Sequence, residues 1–298
     1  MHKDSNTIKV KCPAKINLTL EILNKREDGF HNIQSVMQTI DLFDILTISI
    51  EESDEFEINL SGTSDEIPYD KKNLVHKAIL LFCEKTNQLQ AKISVHIEKN
   101  IPIAAGLAGG STDAAGTLWG LNELFNNILS KTEVHELCAK LGSDLNFCLE
   151  GGCQLTSGRG EILKALPFTE FDISLIKPKT LGISAKEAYT KFSELKNKPN
   201  KDMTTKFIKA VNTKDSEDFN IQELLQNDLE IALLKDYKEL EAIKNAYPES
   251  LMSGSGSTFF ILKEKLDNVN EITNDDEADK YWVKNGLKSI SYGVCKLS

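Results

Sequence analysis

A glycine-rich stretch in the middle of the chain has the residue types of a phosphate-binding loop. It runs Lys99-Asn-Ile-Pro-Ile-Ala-Ala-Gly-Leu-Ala-Gly-Gly-Ser-Thr-Asp-Ala-Ala115. Glycines let backbone N–H groups face a ligand without side chains in the way, and a helix start adds unpaired N–H groups with a partial positive charge. Because Ser111 and Thr112 can cap a helix, the stretch predicts an anion site at a helix N-terminus, suited to phosphate.

The spacing of these glycines excludes two widespread phosphate loops. The stretch has no Gly-Lys-Ser/Thr ending, and its glycines are not spaced as in a dinucleotide-binding fingerprint. A glycine-rich turn without a ligand is the alternative at this stage. Asp113 brings a negative charge into the start of the helix, where it serves either the helix dipole or the orientation of a neighbouring loop.

A strand and a helix must position the loop. Before it, Ile93, Val95 and Ile97 alternate with polar residues, which predicts a strand. After it, apolar residues recur at helical spacing, at Ala114, Leu118, Leu121 and Phe125. The order strand, glycine loop, helix is therefore predicted here.

Two charged side chains elsewhere are candidates for chemistry. Asp144 follows a helix predicted over 132–141, and Ser143 can cap a short new helix there; the commoner use of such an aspartate is capping. Lys15 stands at the start of a half-buried strand predicted over 16–22, where apolar and polar residues alternate. It is either a solvated lysine of a strand edge or a cation aimed into a cleft.

The remaining pattern divides the chain into two halves. A strand over 7–12 is predicted to be interrupted by Pro13-Ala14, and a helix is predicted from about Asn73 to Glu84. The sequence from 184 to about 247 has a mostly helical pattern, and a second glycine-rich loop, 251–258, precedes a strand. A last helix over about 278–286 and a final strand over 289–296 are predicted, so the second half is α+β.

Composition limits the classes of function. The 298 residues contain 35 Lys and Arg against 45 Asp and Glu, a net charge of −10, which argues against a general nucleic-acid or membrane-surface binder. The six cysteines are scattered, and Cys148 and Cys153 around Gly151-Gly152 fit a buried strand and turn better than a metal half-site. No secretory signal or membrane-length run is seen, so we expect a cytoplasmic enzyme, in a bacterial cytosol.

Several separated blocks together resemble the GHMP kinase superfamily, and within it the 4-diphosphocytidyl-2-C-methyl-D-erythritol kinases. The blocks shared with the superfamily are Pro13–Leu18, Pro102–Ala115 and Met252–Thr258; those that favour the narrower family are Arg26–His31, Gly142–Phe147 and Gly158–Glu161. The resemblance implies an α+β, two-domain GHMP kinase fold, with a ribosomal protein S5 domain 2-like N-terminal domain (1–165) carrying the ATP phosphate loop. The C-terminal domain (166–298) would be α+β and ferredoxin-like, with the site between the two.

The resemblance also implies a reaction. The γ-phosphoryl group of ATP, with Mg²⁺ present, would move to the 2-hydroxyl of the cytidine diphosphate-linked methylerythritol substrate, in the non-mevalonate route to isoprenoids. Asp144 would accept the hydroxyl proton and Lys15 would stabilise the transferring phosphoryl group. Magnesium would be held mainly by phosphate oxygens and water, with no dedicated protein metal site. The protein would be a monomer or a weak homodimer.

The family's binding residues carry over to matching positions. Phe30 and Tyr189 would stack on cytosine, His31 would read its edge, and Asn17 would orient the hydroxyl or a phosphate oxygen. Ser253 and Gly254, in the second glycine-rich loop, would buttress the phosphate loop or touch substrate phosphates. Nucleotide binding would fall on Asn73, Leu74, Lys99, Pro102, Ile103, Ala104, Ala105, Gly106, Leu107, Ala108, Gly109, Gly110, Ser111 and Thr112.

Three positions depart from the family pattern. Asn146 stands where proline is usual, Ala108 where a third glycine is common, and Ala185 where threonine is frequent. The Ala108 methyl matters if that residue needs a positive φ.

Two alternative functions stay open. One is another GHMP kinase of the mevalonate or homoserine type, which Arg26–His31 disfavours. The other is a regulator that has lost catalysis, which the intact Lys15 and Asp144 disfavour.

Overall fold

Two β-sheets carry the helices in the computed structural model, which describes residues 6–196, 199, 202–213, 220–266 and 280–297. The strands are β1 (Thr7–Lys25), β2 (His31–Glu52), β3 (Glu57–Gly62), β4 (Ala91–Glu98), β5 (Cys153–Gly158), β6 (Ile162–Ala165), β7 (Asp172–Pro178), β8 (Gln226–Asn227), β9 (Leu251–Met252), β10 (Phe259–Ile261), β11 (Tyr281–Lys288) and β12 (Cys295–Lys296). The helices are α1 (Leu74–Thr86), α2 (Gly109–Leu124), α3 (Lys131–Leu141), α4 (Leu145–Glu150), α5 (Ala185–Glu194), α6 (Met203–Asn212), α7 (Asp228–Leu233) and α8 (Lys238–Ala246).

The larger sheet has the order β12-β1-β2-β4-β3, and β5, β6 and β8 extend it. The long strand β2 pairs with β1 along most of its length, with β5 through its first half and with β4 through its second half. The smaller sheet has the order β11-β7-β10-β9. Strands β8 and β12 come from the second half of the chain but pair with β1, so the two halves are joined at that strand.

Strand β1 continues through Pro13-Ala14, so the predicted interruption is wrong. The pairing with β2 shifts register between Pro13 and Ala14 instead of ending there. A bulge of this kind accommodates a residue that lacks a backbone N–H, because one position of the ladder needs no donor.

Helix α2 packs closely on β1 and β2 because Gly116 and Gly120, which face the sheet, have no side chain. A Cβ atom on Gly116 would collide with the Cys12 sulfur, and one on Gly120 would lie 2.6 Å from Ile48 Cδ1. The helix therefore buries Ala114, Leu118 and other apolar residues in the main core with strands β1, β2 and β4. Its N-terminus is thereby fixed at one end of the larger sheet.

Both faces of β1 are buried, whereas the alternation predicted a half-buried strand. Its polar face, which carries Asn17, Thr19 and Glu21, is covered by elements from the second half of the chain. The Thr204 hydroxyl of α6 donates to Thr19 Oγ1 at 2.9 Å, and the Met203 N–H donates to Glu21 Oε1 at 2.8 Å. The polar side chains thus mark the junction between the two halves.

The predicted last helix is wrong within the described residues. Residues Tyr281–Lys288 form β11, an edge strand antiparallel to β7, while 278 and 279 lie outside the described residues. The pairing shifts register between Lys284 and Leu287, next to Gly286 with φ of 69°, so the strand does not alternate regularly along its whole length. The final strand is also shorter than predicted, covering Cys295–Lys296 of the predicted 289–296.

Candidate active site

The segment Pro102–Thr112, called the phosphate loop below, joins β4 to the start of α2. Its backbone has positive φ at Ala104 (49°), Gly106 (72°) and Ala108 (61°). Ala108 is the N-cap residue of α2 and makes no side-chain cap, so the prediction that Ser111 or Thr112 caps the helix is wrong. The first intrahelical bond is Thr112 N–H to the Ala108 carbonyl. The N–H groups of residues 109–111 therefore have no intrahelical acceptor and are available to an anion.

The phosphate loop is held from two sides. The Lys15 N–H donates to the Leu107 carbonyl at 3.1 Å, which ties the loop to β1. The Ser253 hydroxyl donates to the Gly106 carbonyl at 3.0 Å, and the Thr258 N–H donates to the Ala105 carbonyl at 3.3 Å. The segment Ser253–Thr258 therefore packs on the phosphate loop, and a Cβ atom on Gly106 would collide with the Ser253 carbonyl.

Lys15 and Asp144 lie side by side at this loop. The Lys15 ammonium is buried, with its Nζ 3.9 Å from Asp144 Oδ2, and it donates to Asn17 Oδ1 at 2.6 Å. Gly254 also lies here, since a Cβ atom on it would be 2.9 Å from Lys15 Nζ and 3.2 Å from Asn17 Oδ1. The structure thus brings together four of the residues assigned from the sequence, Lys15, Asn17, Asp144 and Gly254.

Asp144 occupies the N-cap position of α4 but does not cap the helix with its side chain. Its carboxylate is 30% exposed and is therefore accessible to a ligand. The N-cap is Asp144 rather than Ser143, which corrects the sequence prediction. At Asn146, where the family usually has proline, the side-chain amide donates to the Glu161 carbonyl at 3.2 Å and ties α4 to the turn after β5.

The nucleotide-side residues Asn73 and Lys99 are engaged within the protein. The Asn73 side chain caps α1 by accepting from Val75 N–H, and it donates to the Pro68 carbonyl. Leu74 lies 4.0 Å from the position of a Cβ atom on Gly110, so this segment borders the phosphate loop. The Lys99 ammonium is buried against the carboxylates of Asp44 and Asp113, so the structure does not support its assignment as a direct ligand of the nucleotide.

The aromatic side, as it is called below, consists of the residues that the resemblance assigns to the cytosine ring, Phe30, His31 and Tyr189. His31 stacks on Tyr189, with ring centroids 5.2 Å apart and an angle of 15° between the planes. Phe30 is 51% exposed, and the Arg159 guanidinium lies over its ring, 4.9 Å from the centroid. Burial raises the pKa of the Tyr189 hydroxyl, and the Asp144 carboxylate adds to this rise, so the aromatic side is within electrostatic reach of Asp144.

Sequence reasoning missed several residues that hold this arrangement. Ser35 accepts from the Asn17 amide at 2.9 Å, and Asn227 donates to the carbonyls of Met252 and Gly254. Arg159 was noted within a block of the resemblance but was given no role. The available signal was polarity at positions that strand or helix periodicity makes buried, as at Ser35 opposite β1.

Neither a membrane span nor a metal cluster is found in the described part of the chain. Within residues 6–196, 199, 202–213, 220–266 and 280–297, no helix is long and apolar enough to cross a bilayer. The same residues contain no group of three or more His, Cys, Asp or Glu side chains that could hold a metal ion. Cys148 and Cys153 are both buried and free.

Comparison with known proteins agrees with this geometry. The family model for the N-terminal domain of GHMP kinases matches residues 73–152, which include the phosphate loop and Asp144. The 4-diphosphocytidyl-2-C-methyl-D-erythritol kinase of Thermoanaerobacter pseudethanolicus is 39% identical over 273 residues, covering 90% of this chain and 91% of its own length. The chain belongs to this kinase family.

Solved structures agree with the family assignment. A crystal structure of a 4-(cytidine 5'-diphospho)-2C-methyl-D-erythritol kinase has a TM-score of 0.72 and 26% identity, covering 95% of this chain and all of that chain. A homoserine kinase from Cytophaga hutchinsonii has a TM-score of 0.71 with 16% identity, covering 100% of this chain and 99% of its own, which is a likeness of fold alone. The α+β GHMP kinase fold implied by the sequence blocks is confirmed, and ATP is the phosphoryl donor that the family implies.

Proposed function

We propose that this protein transfers the γ-phosphoryl group of ATP to the 2-hydroxyl of 4-diphosphocytidyl-2-C-methyl-D-erythritol, a step of the non-mevalonate route to isoprenoid precursors. Relatives about 40% identical over most of the chain are named for this kinase. The observation that carries the mechanism is the 3.9 Å separation of the Lys15 ammonium and the Asp144 carboxylate beside the phosphate loop. Phosphoryl transfer needs this combination of anion binding, charge neutralisation and proton acceptance.

Each side chain has a defined part in the transfer. The N–H groups of the phosphate loop and of the α2 start bind the β- and γ-phosphates, since they have no intrahelical acceptor. The Asp144 carboxylate accepts the proton of the attacking hydroxyl, while Lys15 stabilises the charge on the transferring phosphoryl group. Asn17 holds the Lys15 ammonium at 2.6 Å and is itself fixed by Ser35, so this cation is oriented before substrate binds.

The aromatic residues provide the cytosine site in this proposal. Phe30 and Tyr189 have rings suited to stacking, and each stacked base is worth about 1–3 kcal/mol. In the structure, however, the His31 ring lies against one face of Tyr189. In this proposal the cytosine takes that face and the His31 ring moves off it, after which its nitrogen atoms can reach the edge of the base. Arg159 covers one face of Phe30 and leaves the other for the cytosine.

Magnesium fits the donor set as an ion bound mainly by phosphate oxygens and water. Mg²⁺ dehydrates reluctantly and commonly takes only one or two carboxylates from a protein, and the described residues offer no larger acidic group. Asp144, with its partly exposed carboxylate, is the side chain placed to contact the ion directly or through water. When bound, the ion would neutralise charge on the phosphates.

We extend the proposal to the partners, the oligomeric state, the cellular location and the domains of the protein. We expect a small-molecule substrate, no nucleic-acid or membrane partner, and a monomer or weak homodimer, since the net charge is −10. All six cysteines are free and five are buried, which fits the reducing bacterial cytosol. We also propose that residues 1–165 and 166–298 form two domains with the site between them. The polar face of β1, which α6 and α7 cover, is where the two halves meet.

The experiment measures ATP consumption with the cytidyl substrate, with mevalonate and with homoserine. Wild-type protein is expected to consume ATP only with the cytidyl substrate, and Asp144→Asn to lose about 10²–10⁴-fold in kcat because the proton acceptor is gone. The matched control is Asp172→Asn, an exposed carboxylate at the start of β7. Consumption with homoserine or mevalonate instead would overturn the substrate assignment and keep the fold.

A further inference from the structure

A buried charge cluster lies under the first turn of α2, and the mechanism above does not use it. It consists of Asp44 on β2, Lys99 just after β4, and Asp113 on α2. The Lys99 ammonium contacts Asp44 Oδ2 and lies 3.0 Å from Asp113 Oδ2, and all three side chains are at most 5% exposed. Burying three charges is costly unless they compensate one another, so their presence here calls for a function.

The cluster ties together the interior of β2, the segment that follows β4 and the start of α2. Asp44 Oδ1 accepts from the N–H groups of Asn100 and Ile101, at 2.6 and 2.8 Å, so its two oxygens hold both the backbone and the ammonium. A Cβ atom on Gly109 would lie 2.7 Å from Lys99 Nζ. The ammonium is therefore directly beneath the residue that opens α2, whose free N–H groups face the proposed phosphates.

The charge of the cluster depends on one proton. Among the described residues no donor reaches Asp113 Oδ1, although that atom is buried, and this disfavours the ionised carboxylate. Burial, followed by the Asp44 carboxylate, raises the pKa of Asp113 to about 8, against the opposing effect of Lys99. Burial opposes the charge of Lys99, but Asp113 and Asp44 raise the pKa of its ammonium. On β1, burial raises the pKa of the facing Cys12 thiol, so that thiol stays neutral.

We propose that Asp44, Lys99 and Asp113 form a positioning unit for ATP, which fixes the first turn of α2 and stays electrically neutral while Asp113 carries a proton. With Asp113 ionised, the cluster has one net negative charge beneath the phosphates, and ATP binds more weakly. Since ATP binding then favours protonated Asp113, the protein takes up a proton as ATP binds. The inference rests on the ATP site of the proposed function and adds residues that act through the loop rather than on the substrate.

The test is calorimetric titration of the whole protein with ATP and Mg²⁺, without acceptor, at about pH 7 and 9 and in buffers of different ionisation enthalpy. The terminal phosphate of ATP titrates near pH 6, so its own charge is nearly constant in this range. Wild type is expected to bind ATP roughly tenfold more weakly at the higher pH. It should also take up protons on binding ATP at a pH near the midpoint of the Asp113 titration. Asp113→Asn, which keeps the shape but not the titration, is expected to remove both effects.

The matched control is Glu150→Gln, a carboxylate held by Lys131 and His135 outside the site, which should behave as wild type. Proton uptake that persists in Asp113→Asn, or wild-type affinity that does not change with pH, would overturn the inference. If Asp113→Asn fails to fold, proton uptake by the wild-type protein on ATP binding is the deciding measurement. Uptake supports the inference, and its absence overturns it. A protein that bound no ATP at any pH would overturn the proposed function, and this inference with it, a result distinct from pH-independent binding.

Discussion

The phosphate side and the aromatic side of the site are built in opposite ways. On the phosphate side, Lys15 is 4% exposed and Asn17 is fully buried, and a chain of hydrogen bonds runs from the Lys15 ammonium through Asn17 to Ser35. On the aromatic side, Phe30 is half exposed, and its loop carries an ion pair between Arg26 and Asp28, whose side chains are 34% and 44% exposed. Buried polar groups must be paired to be tolerated, whereas exposed ion pairs add little stability.

The difference suggests that the two sides divide the work of recognition. The phosphate side is preformed, so ATP meets a backbone that is already oriented. Under the proposed function, the substrate would complete the aromatic side, because the cytosine would take the face of Tyr189 on which the His31 ring is stacked here. Substitutions on the phosphate side should therefore lower kcat, whereas substitutions on the aromatic side should raise KM for the cytidyl substrate.

Of the three substitutions that compare the two sides, Lys15→Met on the preformed side should have the largest effect. Lys15→Met removes the cation that faces Asp144 and should lower kcat about 10²–10³-fold, since a single oriented electrostatic group is worth that much in a water-poor site. Steady-state kinetics with both substrates measures it. Lys9→Met, an exposed lysine of the same strand, is the control. A Lys15→Met enzyme with near wild-type kcat would contradict the proposed role.

An intermediate effect is expected at Phe30 on the aromatic side. Phe30→Ala removes a stacking face worth about 1–3 kcal/mol, so KM for the cytidyl substrate should rise by one to two orders of magnitude. KM for ATP and the melting temperature should hardly change, because the ring is half exposed. Phe168→Ala, at a similarly exposed phenylalanine, serves as the control. An equal rise in KM for ATP would break the division between the two sides.

The smallest effect is expected at Ala108, where the chain departs from the usual glycine. With φ of 61° the alanine adopts a left-handed conformation that glycine adopts more readily. Ala108→Gly should therefore raise the free energy of unfolding by roughly 0.5 kcal/mol, the strain relief being partly offset by the greater freedom of glycine in the unfolded chain. Denaturant titration measures it, and a clear loss of stability would show that the methyl group has a packing role.

The sequence predicted the elements that are locally encoded. The order β4, phosphate loop, α2 followed from alternation, glycines and helical spacing, and the family blocks led to the pairing of Lys15 with Asp144. In contrast, the sequence pattern predicts a helix where the structure has β11, a strand whose pairing with β7 is irregular between Lys284 and Leu287. Periodicity reports only one chain segment at a time and does not record such an irregularity.

The sequence pattern also did not predict which distant charged residues pair in the fold. Lys99 was assigned to the nucleotide, yet its partners Asp44 and Asp113 are 55 and 14 residues away along the chain. Likewise, the alternation of β1 indicated one solvated face, and only the packing of α6 and α7 turns that face into a buried junction. Both outcomes depend on tertiary contacts that neither composition nor spacing specifies.

The most direct test of the central claim is ³¹P NMR of the products from ATP and 4-diphosphocytidyl-2-C-methyl-D-erythritol. The account predicts one new phosphomonoester signal, coupled to the substrate carbon that bears the 2-hydroxyl and equal in amount to the ADP formed. The diphosphate signals of the substrate should remain, and the new signal should be lost in Asp144→Asn. ADP formed without that monoester, or a phosphoryl group on another oxygen, would contradict the account.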